Sequence, residues 1–311
     1  MSSMTAIVPA THGPASLARC IEAIERADAP PEEIIVVEEP AGANPAEARN
    51  SGARRAGGDI LTFVDADVLV HADAFRRIRA ALGRDDGLTA IFGSYDDDPA
   101  SPGIVSTFRN LLHHYVHQSS AGPATTFWTG LGAIRRQAFD EVGGFDPRLA
   151  MMEDVDLGMR VRAVGGVILL DPEIQGTHLK HWTLGQMIRA DFVDRGVPWI
   201  ALLMRDRAAS SALNLGWPHR ASAFACVLAL GGVVTRRPVV AAASTFTFLA
   251  LNRRLYALLL RRQGVRRAVF GVGLHVVHVL TAAAAVPAGI AAYLLERRRQ
   301  PSAQTRSLSG D

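Results

Sequence analysis

Apolar positions along the first two hundred residues recur with two different periods. Thr5–Val8, Glu33–Val37 and Ile60–Val64 are short apolar runs, the last two reading "EIIVV" and "ILTFV". Runs of that length, bounded by turn residues, predict buried strands. Between the first two, Leu17, Cys20, Ile21 and Ile24 recur at helical spacing and predict a helix over 16–26. A second helix opens at "NPAE" (44–47). There Asn44 caps, Pro45 takes the first helical position and Glu47 closes a capping box. Strand, helix, strand, helix, strand predicts a parallel sheet covered by helices, an α/β class. Further helices are predicted over 74–82, 104–118, 153–164 and 183–205, and strands over 89–92 and 167–170. "YDDDPASPG" (95–103) reads as a loop and "GGFDP" (143–147) as a turn.

The pattern changes after residue 208. Residues 221–234 and 238–251 are apolar runs of about 14 residues, split by "TRRP", where a full membrane span needs about 20. Residues 268–295 form a run of about 28 without a charge, longer than a hydrocarbon core requires at about 1.5 Å per residue. Between them, Arg253, Arg254, Arg261, Arg262, Arg266 and Arg267 flank "LYALLL", which reads as interfacial. The expectation is a first domain over 1–207, a membrane region of two to three apolar helices over 208–299, and a disordered tail over 300–311. A soluble all-helical second domain is the alternative. His275 and His278 lie three apart in the long run, and neutral histidines hydrogen-bonded within a helix bundle are the plainer reading.

Composition sharpens the picture only through its distribution. The net charge of the 311 residues is +3, yet after Asp206 a single acid, Glu296, precedes the final Asp311. A basic, apolar C-terminal third fits a bilayer with anionic head groups. No zinc-finger spacing or RNA-binding signature accompanies it, so no nucleic-acid partner is expected. Cys20 and Cys226 both sit in apolar patterns and read as free packed thiols of a reducing compartment. The N-terminus shows no signal-peptide pattern, which places the first domain on the cytoplasmic side of the cell (inner) membrane.

Three clusters carry candidate chemistry. "VDADV" sets Asp65 and Asp67 just past a buried strand, where α/β sheets bind ligands. Two hard oxygen ligands there suit Mg²⁺ or Mn²⁺, with phosphates and water completing the shell. A solvated turn is the competing reading. "MMEDVDLGMRVRAVGG" sets Glu153 and Asp154 in the first turn of a helix. That position favours acids through the helix dipole alone, but also suits a general base. In "THLKHW" (177–182), His178 suits a metal, Lys180 a phosphate and Trp182 a stacked ring, unless the segment is a plain polar loop.

In this order the clusters resemble the family 2 glycosyltransferases of GT-A fold. The resemblance runs from about residue 4 to 205 through "IVPA", "IIVVEEP", "ARNSGARRAGGDILTFVDADV", "FWTGLGAIRRQAFDEVGGFD", "EDVDLGMRV" and the "HLKHW" segment. It implies a doubly wound mixed sheet with a Rossmann-like nucleotide-binding half, followed by transmembrane or interfacial helices. It also implies that Asp65 and Asp67 are a DxD motif holding a nucleotide-sugar through a divalent cation. Asp67 is then the leading metal ligand, His178 its partner, and Asp154 the base beside Glu153. Pro9, Glu38 and Arg49 match nucleotide-pocket positions, and Trp128, Thr129 and Gly130 the segment near sugar and acceptor. Glu38 stands where that family usually has Asp. The QxxRW motif of processive synthases is absent, with "DRGVPW" (194–199) in a comparable place. Transfer of a single sugar, with a UDP-sugar as the favoured donor, to a membrane lipid or lipid-linked saccharide is therefore expected. Transfer to a polyprenyl phosphate and a non-catalytic membrane scaffold with a nucleotide-sugar pocket are the alternatives.

Overall fold

The computed structural model describes residues 2–149, 151–205 and 216–299. Each apolar run becomes a strand: β1 (Met4–Pro9), β2 (Glu33–Val37) and β3 (Ile60–Val64). They pair in parallel in the order β2-β1-β3, with Pro9 opposite Val37 and Ile7 opposite Phe63. Helices α1 (Leu17–Glu25) and α2 (Pro45–Arg55) are the expected crossovers. Asn44 and Glu47 form the reciprocal capping box that their spacing predicts. Close packing of α2 on the sheet depends on Gly52, where a Cβ would lie 2.4 Å from Ile7 Cγ2.

Beyond β3 the sheet departs from the all-parallel pattern that the strand order suggests. The remaining strands are β4 (Val68–Val70), β5 (Leu88–Tyr95), β6 (Gly122–Ala124), β7 (Leu131–Arg135) and β8 (Val167–His178). The sheet order is β2-β1-β3-β7-β5-β8-β4, with β6 on β8. Strand β7 is antiparallel to both of its neighbours, β3 and β5. Its sequence, "LGAIR", is diluted by glycine and alanine and carries little periodic signal. Two apolar cores flank the sheet. One is centred on Phe75, Ile78 and Ile91, and the other on Phe63, Phe92 and Phe145. The result is the mixed α/β sheet of the GT-A type.

The remaining helices are α3 (Ala74–Arg84), α4 (Ile104–Ser119), α5 (Arg136–Glu141), α6 (Glu153–Ala163), α7 (Leu184–Arg189), a π-helical stretch (Ala190–Gly196), α8 (Val197–Arg205), α9 (Trp217–Val234), α10 (Pro238–Leu251) and α11 (Arg253–Arg299). Helices α9 and α10 pack as a hairpin, and α11 is broken at Gly264, whose φ is +73°. One described helix, Arg253–Arg297, is long and apolar enough to cross a membrane. The hairpin keeps Trp217, Phe224, Val233, Val239 and Phe246 exposed.

The "LYALLL" segment is not a free interfacial helix. Leu255, Leu258 and Leu259, at helical spacing, are buried with Phe108 and Leu111 of α4. Arg262 pairs with Asp97 in the 95–103 loop, its Nε donating at 2.8 Å. The long apolar helix packs on α4, the π-helical stretch and α8. The expected boundary at 207/208 and the tail over 300–311 lie outside the described residues.

Candidate active site

Strand β3 ends at Val64, and the chain turns at once into β4, with Val68 N–H bonding Asp65 O at 2.9 Å. Asp65 and Asp67 therefore sit at the C-terminal edge of the parallel strands. Pro9 and Glu38 mark the ends of β1 and β2 on the same edge. Glu38 is exposed there and Pro9 half-buried, so both are placed to bound a ligand spread over this edge.

Arg49 on α2 ties three elements together. Its guanidinium donates to Asp65 Oδ1 at 2.7 Å and to Glu153 Oε1 at 2.5 Å, and its side chain is 6 % exposed. Asp154 adds a third negative charge nearby. Arg49 stays firmly protonated, since the carboxylates outweigh the burial that opposes its charge. One cation cannot neutralise three acids, and the surplus falls on the α6 pair. Burial and then the charge of Asp154 push Glu153 up to about 7, in spite of Arg49. Burial raises Asp154 as well, against the pull of Arg49. The helix dipole alone leads to the opposite direction. Desolvation wins here, and it makes Asp154 a stronger base.

His178 ends β8, the neighbour of β4, and is buried. Its ring stacks on Tyr95 at 4.2 Å. Asn110 donates its amide to His178 O at 3.3 Å, which turns Asn110 Oδ1 toward His178 Nδ1 at 2.8 Å. That partner assigns a proton to Nδ1. Nε2 faces Asp67 Oδ2 at 3.4 Å. A proton on Nε2 or a cation between the two groups satisfies this pair. The donor set, one imidazole and one carboxylate, fits Mn²⁺ or Mg²⁺ whose shell a diphosphate completes. The three-ligand set expected from sequence is not assembled. Among the described residues no three His, Cys, Asp or Glu side chains converge on a metal position. Asp65 has its Oδ1 held by Arg49.

A cavity of about 100 Å³ opens on these groups, lined by Asp65, Asp67, Tyr95, His178, Lys180 and Trp182. Arg109, Asn110, His113 and Arg195 complete its wall. Sequence reasoning missed Tyr95, Arg109, Asn110 and Arg195. The available signal lay in α4, where Ser106, Thr107, Arg109 and Asn110 are polar yet buried, so that no plain solvent face remains. The α4 histidines His113, His114 and His117 point inward. His114 Nδ1 bonds Tyr95 O at 2.9 Å and His117 Nδ1 bonds Gly93 O at 2.8 Å. Burial drives His117 down to about 4 and His113 well below its ordinary range. Trp182 is not an open stacking platform either. It is buried, with Lys180 Nζ 4.4 Å and Arg109 Cζ 5.1 Å from its ring centre, and so it holds cations at the cavity wall. Trp128 packs edge-on against Tyr95 at 4.9 Å, behind the cavity. Gly130 makes room for it, because a Cβ there would lie 2.2 Å from Trp128 Cζ2.

The raised α6 pair gives a pH signature. Were Asp154 the base, it would act only when ionised, so kcat/KM should rise with pH along an acid limb above the ordinary aspartate range of about 3.9. Stability runs the other way. The folded chain holds the Glu153 proton more tightly than the unfolded chain, so this contribution is present at low pH and is lost as pH climbs from 4.5 to about 7. Donor consumption followed from pH 5 upward, about half a unit at a time, tests the limb; a profile flat down to pH 5 would remove the raised base.

Residues 31–143 match the family model described as Glycosyl transferase family 2. Among solved structures, the mannosyltransferase PcManGT from Pyrobaculum calidifontis, in complex with GDP-Man and Mn²⁺, aligns with a TM-score of 0.54 and 17% identity. That alignment covers 95% of this chain and 88% of that one, a likeness of fold. S. aureus TarS 1-349 aligns at TM-score 0.46 and 12% identity, over 96% of this chain and 93% of that one. GalNAc-T7 with UDP, GalNAc and Mn²⁺ aligns at 0.43 and 14%, over 67% of this chain and 51% of that one. The matched segment contains Arg49, Asp65, Asp67, Trp128 and Gly130 on the mixed sheet described above. Residues 31–143 thus match a glycosyl transferase family 2 domain, the mixed sheet is of GT-A type, and the chain is an enzyme of the glycosyltransferase class.

Proposed function

We propose that the chain is a membrane-associated, metal-dependent, inverting glycosyltransferase. It moves one sugar from a nucleotide-sugar, by resemblance a UDP-sugar, to a hydroxyl of a membrane lipid or lipid-linked saccharide. The observation that carries this reading is the opposed pair Asp67 and His178, with Asp154 on the neighbouring helix. A divalent cation held by that pair supplies charge neutralisation of the diphosphate leaving group. Arg49 fixes Asp65 and Glu153, which leaves Asp154 as the unclaimed carboxylate of the α6 pair. Asp154 takes the acceptor proton as the acceptor oxygen bonds the anomeric carbon and the bond to the diphosphate breaks. The exposed apolar hairpin and the long apolar helix support delivery of the acceptor at a bilayer.

The test is nucleotide release from a panel of nucleotide-sugars by the full chain in detergent, with Mn²⁺, Mg²⁺ or EDTA. Release from one donor is expected with metal, with at least a hundred-fold loss in Asp67→Ala or EDTA. Equal release in EDTA would sink the metal assignment. A second reading, transfer to a polyprenyl phosphate, is favoured by one feature, the three cations Arg109, Lys180 and Arg195 on the cavity wall. An acceptor that is already an anion needs no base, so its mark is substantial activity in Asp154→Asn.

A further inference from the structure

The cavity wall continues, through buried polar contacts, into the apolar C-terminal helix. Arg109 on α4 donates to Asp191 Oδ1 at 2.6 Å, and its side chain is 9 % exposed. Asp191 lies in the π-helical stretch and is 4 % exposed. Its second oxygen, Oδ2, takes a bond at 2.8 Å from Nδ1 of His278, in the charge-free run of α11. Burial opposes the charge of Asp191, but the bonds from His278 and Arg109 hold its carboxyl below the ordinary range. The π-helical stretch also supplies Arg195 to the cavity. Such wide turns redirect side chains and recur at functional sites.

Close backbone approach keeps α11 on this stretch. A Cβ at Gly196 would lie 2.6 Å from Ala285 Cβ, and one at Gly289 would lie 2.5 Å from Ile200 Cβ. The partner histidine has a different task. His275 is bonded to Tyr256 at 2.9 Å and stacked on Phe248, and it meets α4 only through the ring of Phe108, with no described polar bond to the cavity residues. The two histidines of the apolar run thus divide, one serving packing and the other reaching the wall of the cavity.

We propose that Asp191 and His278 are positioning residues that aim Arg109 at the substrate's anionic group, which makes the C-terminal apolar helix a working part of the transferase site. A guanidinium with its carboxylate fixed from behind is held in one orientation. The inference rests on the reading of the cavity as the donor and acceptor site.

The experiment compares Asp191→Asn, His278→Ala, the double variant and His278→Asn with the parent chain, all full length in detergent. Steady-state donor and acceptor kinetics and Tm are measured for each. Either single variant should raise KM for donor or acceptor by on the order of ten-fold. The substrate whose KM moves identifies the anion that Arg109 meets. The double variant should be no worse than the worse single, as for one unit. His278→Asn, whose amide replaces the Nδ1 donor, should recover to within about three-fold. Tyr256→Phe, on the same helix but bonded only to His275, should lower Tm and leave KM in place. Parent-like kinetics in His278→Ala, losses that multiply in the double variant, or an equal KM shift in Tyr256→Phe would overturn the proposal. Failure of the underlying metal reading shows separately, as turnover that survives Asp67→Ala, and leaves these comparisons intact.

Discussion

Asp154→Asn should lower kcat by about 10²–10⁴ while nucleotide-sugar binding is retained. The substitution keeps the shape of the side chain and removes only its basicity. Asp154 Oδ1 accepts the Val155 N–H at 2.8 Å, so one oxygen is already engaged and the other is left for the acceptor. No described hydrogen bond ties that second oxygen, in contrast to Glu153, which is committed to Arg49. Glu153→Gln should therefore behave differently, with a smaller fall in kcat and a loss of stability from the weakened pair. Single-turnover transfer beside equilibrium nucleotide binding separates the two effects. Full activity in Asp154→Asn would end its assignment as base, and would favour an acceptor that arrives already ionised.

Arg49→Met should destabilise the fold by about 3–5 kcal/mol, the usual cost of removing one partner from a buried ion pair. The guanidinium stands between Asp65 and Glu153, with Asp154 close by. Its loss strands carboxylates in a site where burial already disfavours their charge. Glu153 and Asp154 would then bind protons more readily, so the deficit should shrink on going to low pH. Chemical denaturation of the variant at about pH 5 and about pH 8 measures this. The same change frees Asp65 and loosens α6 against β3, so activity should fall together with stability. A variant as stable as the parent at both values would mean that Arg49 is not the clamp of the site.

Much of this protein is legible along the chain. "EIIVV" and "ILTFV" become β2 and β3 because continuous apolar runs of that length have no stable place except a buried sheet. "NPAE" starts α2 because its capping groups act within four residues. The positions of Asp65, Asp67, Asp154 and His178 at element ends were readable for the same reason: local chemistry marks where strands stop and helices start. What the chain order does not encode is which ends meet. Strand β7 enters antiparallel between β3 and β5 through pairings of residues far apart in the chain, such as Ile60 with Arg135 and Phe92 with Gly132, and its own "LGAIR" carries almost no pattern. Arg49 meets Glu153 across a separation of 104 residues, and the same guanidinium holds Asp65 Oδ1. Burial, set by the whole fold, raises the α6 carboxyls where the local dipole favours the opposite, and it turns the α4 histidines inward. The apolar run of α11 was readable as a membrane-length segment, but not the side on which His278 would reach Asp191. Local signals act over a few residues and survive in sequence. Electrostatic fields and long-range pairings exist only once distant segments share a place, and the tertiary structure alone sets them.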